Sequence, residues 1–66
     1  MTIRDIIFET IIKLEAVGIP SARLDAEVLL AFYLNCDRLE FIKNPDRPLS
    51  NAQMMAFQEL LDRRLE

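Results

Sequence analysis

The residues best suited to chemistry in this 66-residue chain are Asp25 and Glu27, two carboxylates inside one helical stretch. Paired carboxylates can share a proton for acid–base work or hold a metal, but only when both reach one point. Two residues apart on a helix they point in different directions. Glu27 instead stands four residues after Arg23, the spacing of a helical salt bridge, and Asp25 falls in a first turn, where the helix dipole favours negative charge. Cys36 is the single cysteine, and there is no histidine. The chain therefore has no internal disulfide, no Cys/His metal cage and no histidine-activated nucleophile. Cys36 reads as a small, partly buried residue.

Asn44-Pro45 invites comparison with the Asn-Pro-Pro-Tyr loop of amino-group methyltransferases, whose polar groups orient an amide nitrogen for attack on a methyl donor. Here Asp46 and Arg47 follow, so the second proline and the aromatic ring are missing. The preceding strand and the glycine-rich turn are missing as well, and the segment reads as a turn. Neither Ser21 nor Ser50 follows an aspartate, which removes the attachment site of an acyl carrier protein. Acidic residues exceed basic ones by three, 11 against 8, whereas a domain holding nucleic acid through phosphate contacts normally shows a basic face, so no direct nucleic-acid binding is expected. Charged residues interrupt every apolar run well short of the ~20 residues that span a bilayer, and Met1–Asp5 lacks the layout of a secretory signal. A reducing cytoplasm is the expected compartment.

With few groups able to react, the elements that would present a surface matter more. Thr2 and Asp5 mark a helix start, and Ile3, Ile6, Ile7, Thr10, Ile11, Leu14 and Val17 fall on one face at helical spacing. Gly18 stops that helix by adopting positive φ, Ile19 folds back over the last turn and Pro20 blocks continuation. Ser21 caps a second helix from Ala22 to about Leu34, closed by Asn35. Leu24, Ala26, Val28, Leu29, Leu30, Ala31, Phe32, Tyr33 and Leu34 nearly surround its axis, which predicts a central helix whose Leu29 and Phe32 are both core. Asp37 to Glu40 reads as a capping box opening a short third helix through Lys43, with Leu39 and Ile42 inward. Asn44–Pro48 is a turn. Ser50 and Gln53 form another capping box, and the last helix carries Met54, Phe57, Leu60, Leu61 and Leu65 inward, with Gln58, Glu59, Asp62 and Arg63 facing water. No segment alternates with period two. The fold expected is an all-α bundle of four to five helices without a sheet, one domain over residues 1–66.

Phe8 and Ile12 lie one turn apart, away from the Ile3–Ile7–Leu14 face. They are either core, with Phe8 beneath the third helix or the Pro45–Pro48 turn, or a partner-docking patch. The core placement is the reading preferred here. Met55 is a weaker stray of the same kind.

Over Gly18-Ile19-Pro20-Ser21-Ala22-Arg23-Leu24-Asp25-Ala26-Glu27-Val28-Leu29-Leu30 the sequence resembles the amino-terminal domain of the HemK/PrmC family, methyltransferases that modify the glutamine of peptide-chain release factors. The resemblance continues at Asn35-Cys36-Asp37-Arg38, at Asn44-Pro45-Asp46-Arg47-Pro48-Leu49-Ser50 and at Leu60-Leu61-Asp62-Arg63-Arg64, in the same order and spacing. It implies a helical bundle that helps to hold the release factor and scaffolds a Rossmann-like methyltransferase domain. In the family, S-adenosylmethionine and the substrate glutamine bind in that second domain, reached through a Gly-Glu-Pro linker. The chain stops at Glu66, before that linker, so the expectation is an isolated or truncated domain with no catalytic, cofactor-binding or metal-binding residue of its own. The partners implied are the release factor and the methyltransferase domain. The competing expectation is a free-standing acidic helical module for protein interaction or oligomerisation.

Overall fold

At the start of the first helix a hydroxyl and a carboxylate each accept a hydrogen bond from the other residue's backbone amide. In the computed structural model, which describes residues 1–65, helix α1 spans Ile3–Ala16. The Asp5 amide donates to Thr2 Oγ1 at 3.3 Å, and the Thr2 amide donates to the Asp5 carboxylate at 3.1 Å. This reciprocal box satisfies two donors that a helix start leaves unpaired. The Thr2 amide first, and its hydroxyl second, hold the Asp5 carboxyl below its ordinary value of 3.8. At the other end Gly18 takes φ 82°. Its amide donates to the Glu15 carbonyl at 3.0 Å, and the Ile19 amide donates to the Leu14 carbonyl at 3.1 Å. Ile19 then packs beside Leu14, the apolar contact that accompanies such a stop.

Helix α2 spans Ala22–Leu34 and stops by the same device, with Asn35 at φ 54° and the Cys36 amide donating to the Ala31 carbonyl at 3.0 Å. Its beginning differs from expectation. Ser21 caps no amide, and its hydroxyl donates to Asp25 at 3.3 Å instead. Helix α3 is a single turn, Leu39–Lys43, and helix α4 runs Asn51–Leu65. The predicted box before α4 forms in both directions, at 3.1 Å and 2.9 Å between Ser50 and Gln53. The one before α3 does not. Asp37 accepts only a long bond from the Leu39 amide at 3.4 Å, while the Glu40 side chain accepts from Asn44 at 2.9 Å.

The segment between α3 and α4 folds back onto the start of α1. The Ile3 amide donates to the Arg47 carbonyl and the Arg4 amide to the Pro45 carbonyl, each at 3.0 Å; the Leu49 amide donates to the Met1 carbonyl at 2.8 Å. Thr2 and Pro48 form an isolated bridge, and no strand occurs among the described residues. This clasp sets Ile3 and Leu49 into one core cluster with Ile6, Leu30, Ala31, Phe41 and Phe57. A second cluster joins Leu14, Ala22, Ala26 and Leu61. Ile7 and Leu29 pack against both, so the two clusters form one continuous interior. Ala22 and Ala26 lack long side chains and let the neighbouring helices approach α2 closely. Thr10 is buried at no polar cost, because its hydroxyl donates to the Ile6 carbonyl at 2.7 Å. The bundle is all-α, as the sequence predicts, with four helices among the described residues.

Four details of the expected core are corrected. α2 packs against α1 and α4 but is not enclosed. Leu24, Val28 and Phe32, spaced four apart, form an outward stripe on which Phe32 is 77% exposed. Leu39 and Ile42 also face outward and Phe41 takes the inward position, since a five-residue helix has only one inward edge. Val17 is exposed at the end of α1, where the chain turns away. Gln58 is half-buried rather than facing water, and accepts a hydrogen bond from the Lys13 ammonium across the α1–α4 seam.

Truncating Leu30 or Phe57 to Ala should cost about 2–5 kcal/mol, because each leaves a cavity in a sealed interior. Phe32→Ala should stay within about 0.5 kcal/mol. Urea denaturation of the three variants checks this contrast. The box at Thr2 carries a pH dependence as well. A carboxylate whose folded pKa is depressed stabilises the fold above its ordinary value and loses that contribution as pH falls through 3.8 and below. Melts from neutral pH to below that value should therefore fall less steeply for Asp5→Asn than for the parent chain.

Candidate functional site

The polar groups that could react are already engaged. Glu27 lies between Arg23 at 3.7 Å and Arg38 at 3.6 Å and ties α2 to the segment entering α3. Asp25 holds the Ser21 hydroxyl. Ser50 caps α4, and Cys36 sits half-buried against the first core cluster. The Asp25 and Glu27 carboxylates thus have separate partners, as their spacing predicts. Among the described residues no group of His, Cys, Asp or Glu side chains is placed to hold a metal ion. No buried side-chain nitrogen or oxygen lacks a partner there. No helix is long and apolar enough to cross a membrane.

What the surface offers is apolar. Phe8 is 65% exposed and Ile12 52%, so the preferred core placement is overturned. α3 turns Phe41 inward and leaves Ile42 75% exposed, so Ile42 and Phe8 share an open groove and Phe8 is not roofed. Phe8 instead lines a groove of about 250 Å³ with Ile7, Ile11, Phe41, Ile42 and Pro45, bordered by Arg4, Arg23 and Glu27. Ile12 continues the exposed edge one helical turn further along α1 and does not line the groove. Met55 is exposed too, in a trough between α1 and α4 that also includes Met54 and Lys13.

A second face was not found by sequence reasoning. The outward stripe of α2 and Leu60 of α4 form a groove of about 600 Å³, rimmed by Asp25, Arg63 and Arg64. Its signal was present in the sequence: α2 is apolar on nearly every side, while the described residues form only two other long helices to cover it. Contiguous exposed apolar patches on a small domain mark interaction sites. The two grooves share no lining residue.

Because Phe8 and Ile12 contribute little to the interior, a Phe8→Ser, Ile12→Ser double variant should retain the parent stability to within about 1 kcal/mol. A thermal melt of the double variant measures this. A loss of several kcal/mol would return the pair to the core.

The sequence pattern of the PrmC N-terminal domain matches residues 6–66. A release factor glutamine methyltransferase of Koribacter versatilis is 39% identical over 64 residues, covering 97% of this chain and 23% of that protein. Another, of Rhodopirellula baltica, is 45% identical over 49 residues, covering 74% of this chain and 17% of that protein. A bifunctional methyltransferase of Rickettsia felis is 32% identical over 65 residues, covering 98% of this chain and 12% of that protein. The chain thus spans between 12% and 23% of the length of these relatives. No solved structure matches it. With the match running from the first turn of α1 through all of α4, this chain belongs to the PrmC N-terminal domain family.

Proposed function

We propose that this chain is the non-catalytic amino-terminal domain of a release-factor glutamine methyltransferase. In this role it helps to bind the release factor and scaffolds the methyltransferase portion. The observation that carries the reading is a contrast on the surface: its candidate reactive groups are held in caps and ion pairs, while large apolar side chains stand exposed. Such a surface supports a protein-binding role for the domain. The names of the relatives supply the substrate class, a glutamine of a release factor. Phe8 and Ile12, with the adjoining groove, are the proposed docking edge for that partner.

S-adenosylmethionine is assigned to the methyltransferase portion and not to this domain. The residues here do not suit it. Gly18, the one glycine, is spent on stopping α1, so no glycine-rich turn is available to cradle such a ligand. The cytoplasm is the compartment this role requires.

The test uses a whole enzyme: the Koribacter versatilis protein with its matched segment replaced by residues 1–66. Phe8→Ser, Ile12→Ser in that protein should lower kcat/KM for release-factor methylation about five-fold or more, the effect of losing roughly 1 kcal/mol of docking energy. Methylation of a short peptide carrying the acceptor glutamine should be unchanged, since a peptide cannot reach the domain. An unaffected kcat/KM on the intact release factor would sink the docking role and favour a free-standing interaction module.

A further inference from the structure

The groove between α2 and α4 differs from the Phe8 edge in charge and in position. Its floor is the stripe Leu24, Val28, Phe32 together with Leu60, and on its rim two arginines, Arg63 and Arg64, outnumber one carboxylate, Asp25. Neither arginine makes an ion pair among the described residues. In a chain with a net charge of −3, this rim is locally basic. The wall that carries it is the last two turns of α4. In the relatives the matched stretch is no more than 23% of the protein, and the family description puts this domain at the N-terminus. In those proteins the polypeptide continuing past the counterpart of α4 leaves directly from the rim of this groove. Extended chain covers ~3.3 Å per residue, so a few residues carry it alongside the groove floor.

We infer that the α2–α4 groove is the seat of the methyltransferase portion, which fills it with an apolar ridge edged by carboxylates that pair with Arg63 and Arg64. The inference rests on the functional reading above and assigns the two faces to different partners. The α1–α3 edge is left for the release factor, and the α2–α4 groove is closed permanently within the enzyme. That division accounts for the position of Phe32, the most exposed of the large apolar residues, whose burial is supplied from outside the domain. It also explains why α2 is apolar on a side that neither α1 nor α4 covers: in the whole protein that side is interior.

Thiol alkylation tests the assignment. Val28→Cys, in a Cys36→Ser background, places a single reporter in the groove. It should react quickly in the 66-residue chain. In the whole enzyme described above, without release factor, it should react at least about ten-fold more slowly, because an interface core is packed as densely as a protein interior. Equal rates in the two proteins would overturn the inference. Slowing only after release factor is added would also overturn it, by assigning the groove to the substrate. Slowing in the 66-residue chain that grows with its concentration would overturn it in favour of a second copy. If the hybrid enzyme does not fold, a cysteine at the position aligned with Val28 in the Koribacter versatilis enzyme, compared with that enzyme's own amino-terminal fragment, gives the same outcomes. The Phe8 and Ile12 experiment reads a different face, so either assignment can fail without the other.

Discussion

The first amides of α1 have no partners within their own helix, and how they are satisfied fixes the shape of this domain. Thr2 and Asp5 supply one reciprocal pair of bonds. Two more acceptors come from more than forty residues away, the carbonyls of Pro45 and Arg47. Pro45 and Pro48 suit that task, because their fixed φ pre-orders a turn and their missing N–H groups add no donor needing a partner. The clasp closes the far end of the chain onto its beginning. It brings Leu49 and Phe41 against Ile3, Ile6 and Phe57, and so completes a core that two helices alone would leave open. The exposed ion pair between Arg4 and Asp46, at 3.5 Å, lies across the same junction and adds little by comparison.

Size sets the next limit. A chain of this length buries a smaller fraction of its surface than a larger domain, and its helices cannot all be covered on every side. α2 illustrates the consequence. Ala22, Ala26 and Leu30 are sealed by neighbours, while the stripe Leu24, Val28 and Phe32, two residues on and so on the roughly opposite face of the helix, meets solvent. The same shortage operates at α3, where one turn of helix provides one buried side chain, Phe41, and leaves Ile42 and Leu39 outside. Exposed apolar residues in this family member are therefore where the fold runs out of material to cover them.

That arrangement suits a domain whose contribution is recognition. Asp5 serves a helix cap and Glu27 and Asp46 serve ion pairs, while the Thr2 and Ser50 hydroxyls cap helices and that of Thr10 returns a hydrogen bond to its own helix. The candidate site is consequently a pair of apolar grooves and no constellation of reactive groups. The two grooves are chemically distinct, one mixed in charge at Arg4, Arg23 and Glu27, the other dominated by Arg63 and Arg64. Such a difference allows two partners to be told apart by the charges around otherwise similar apolar floors.

Sequence alone determined the helices, both ends of α1, the end of α2, the start of α4 and the absence of a sheet among the described residues. Thr2 with Asp5, Gly18, Asn35, and Ser50 with Gln53 act through bonds three to five residues long, so the local order of residue types is sufficient to specify them. It also established that Asp25 and Glu27 could not act together, since helical spacing decides that. The rotation of α3 was not legible, nor were the fates of Phe8, Leu24, Val28, Phe32 and Ile42. An apolar residue on a helix states that it will be covered, but not by what. That is decided by how the helices cross and by where the Pro45–Leu49 segment lands. At Phe8 and Phe32 the tertiary structure decided against burial, because the helix that would have roofed one is a single turn long and the chain has no fifth helix among its described residues to lay over the other.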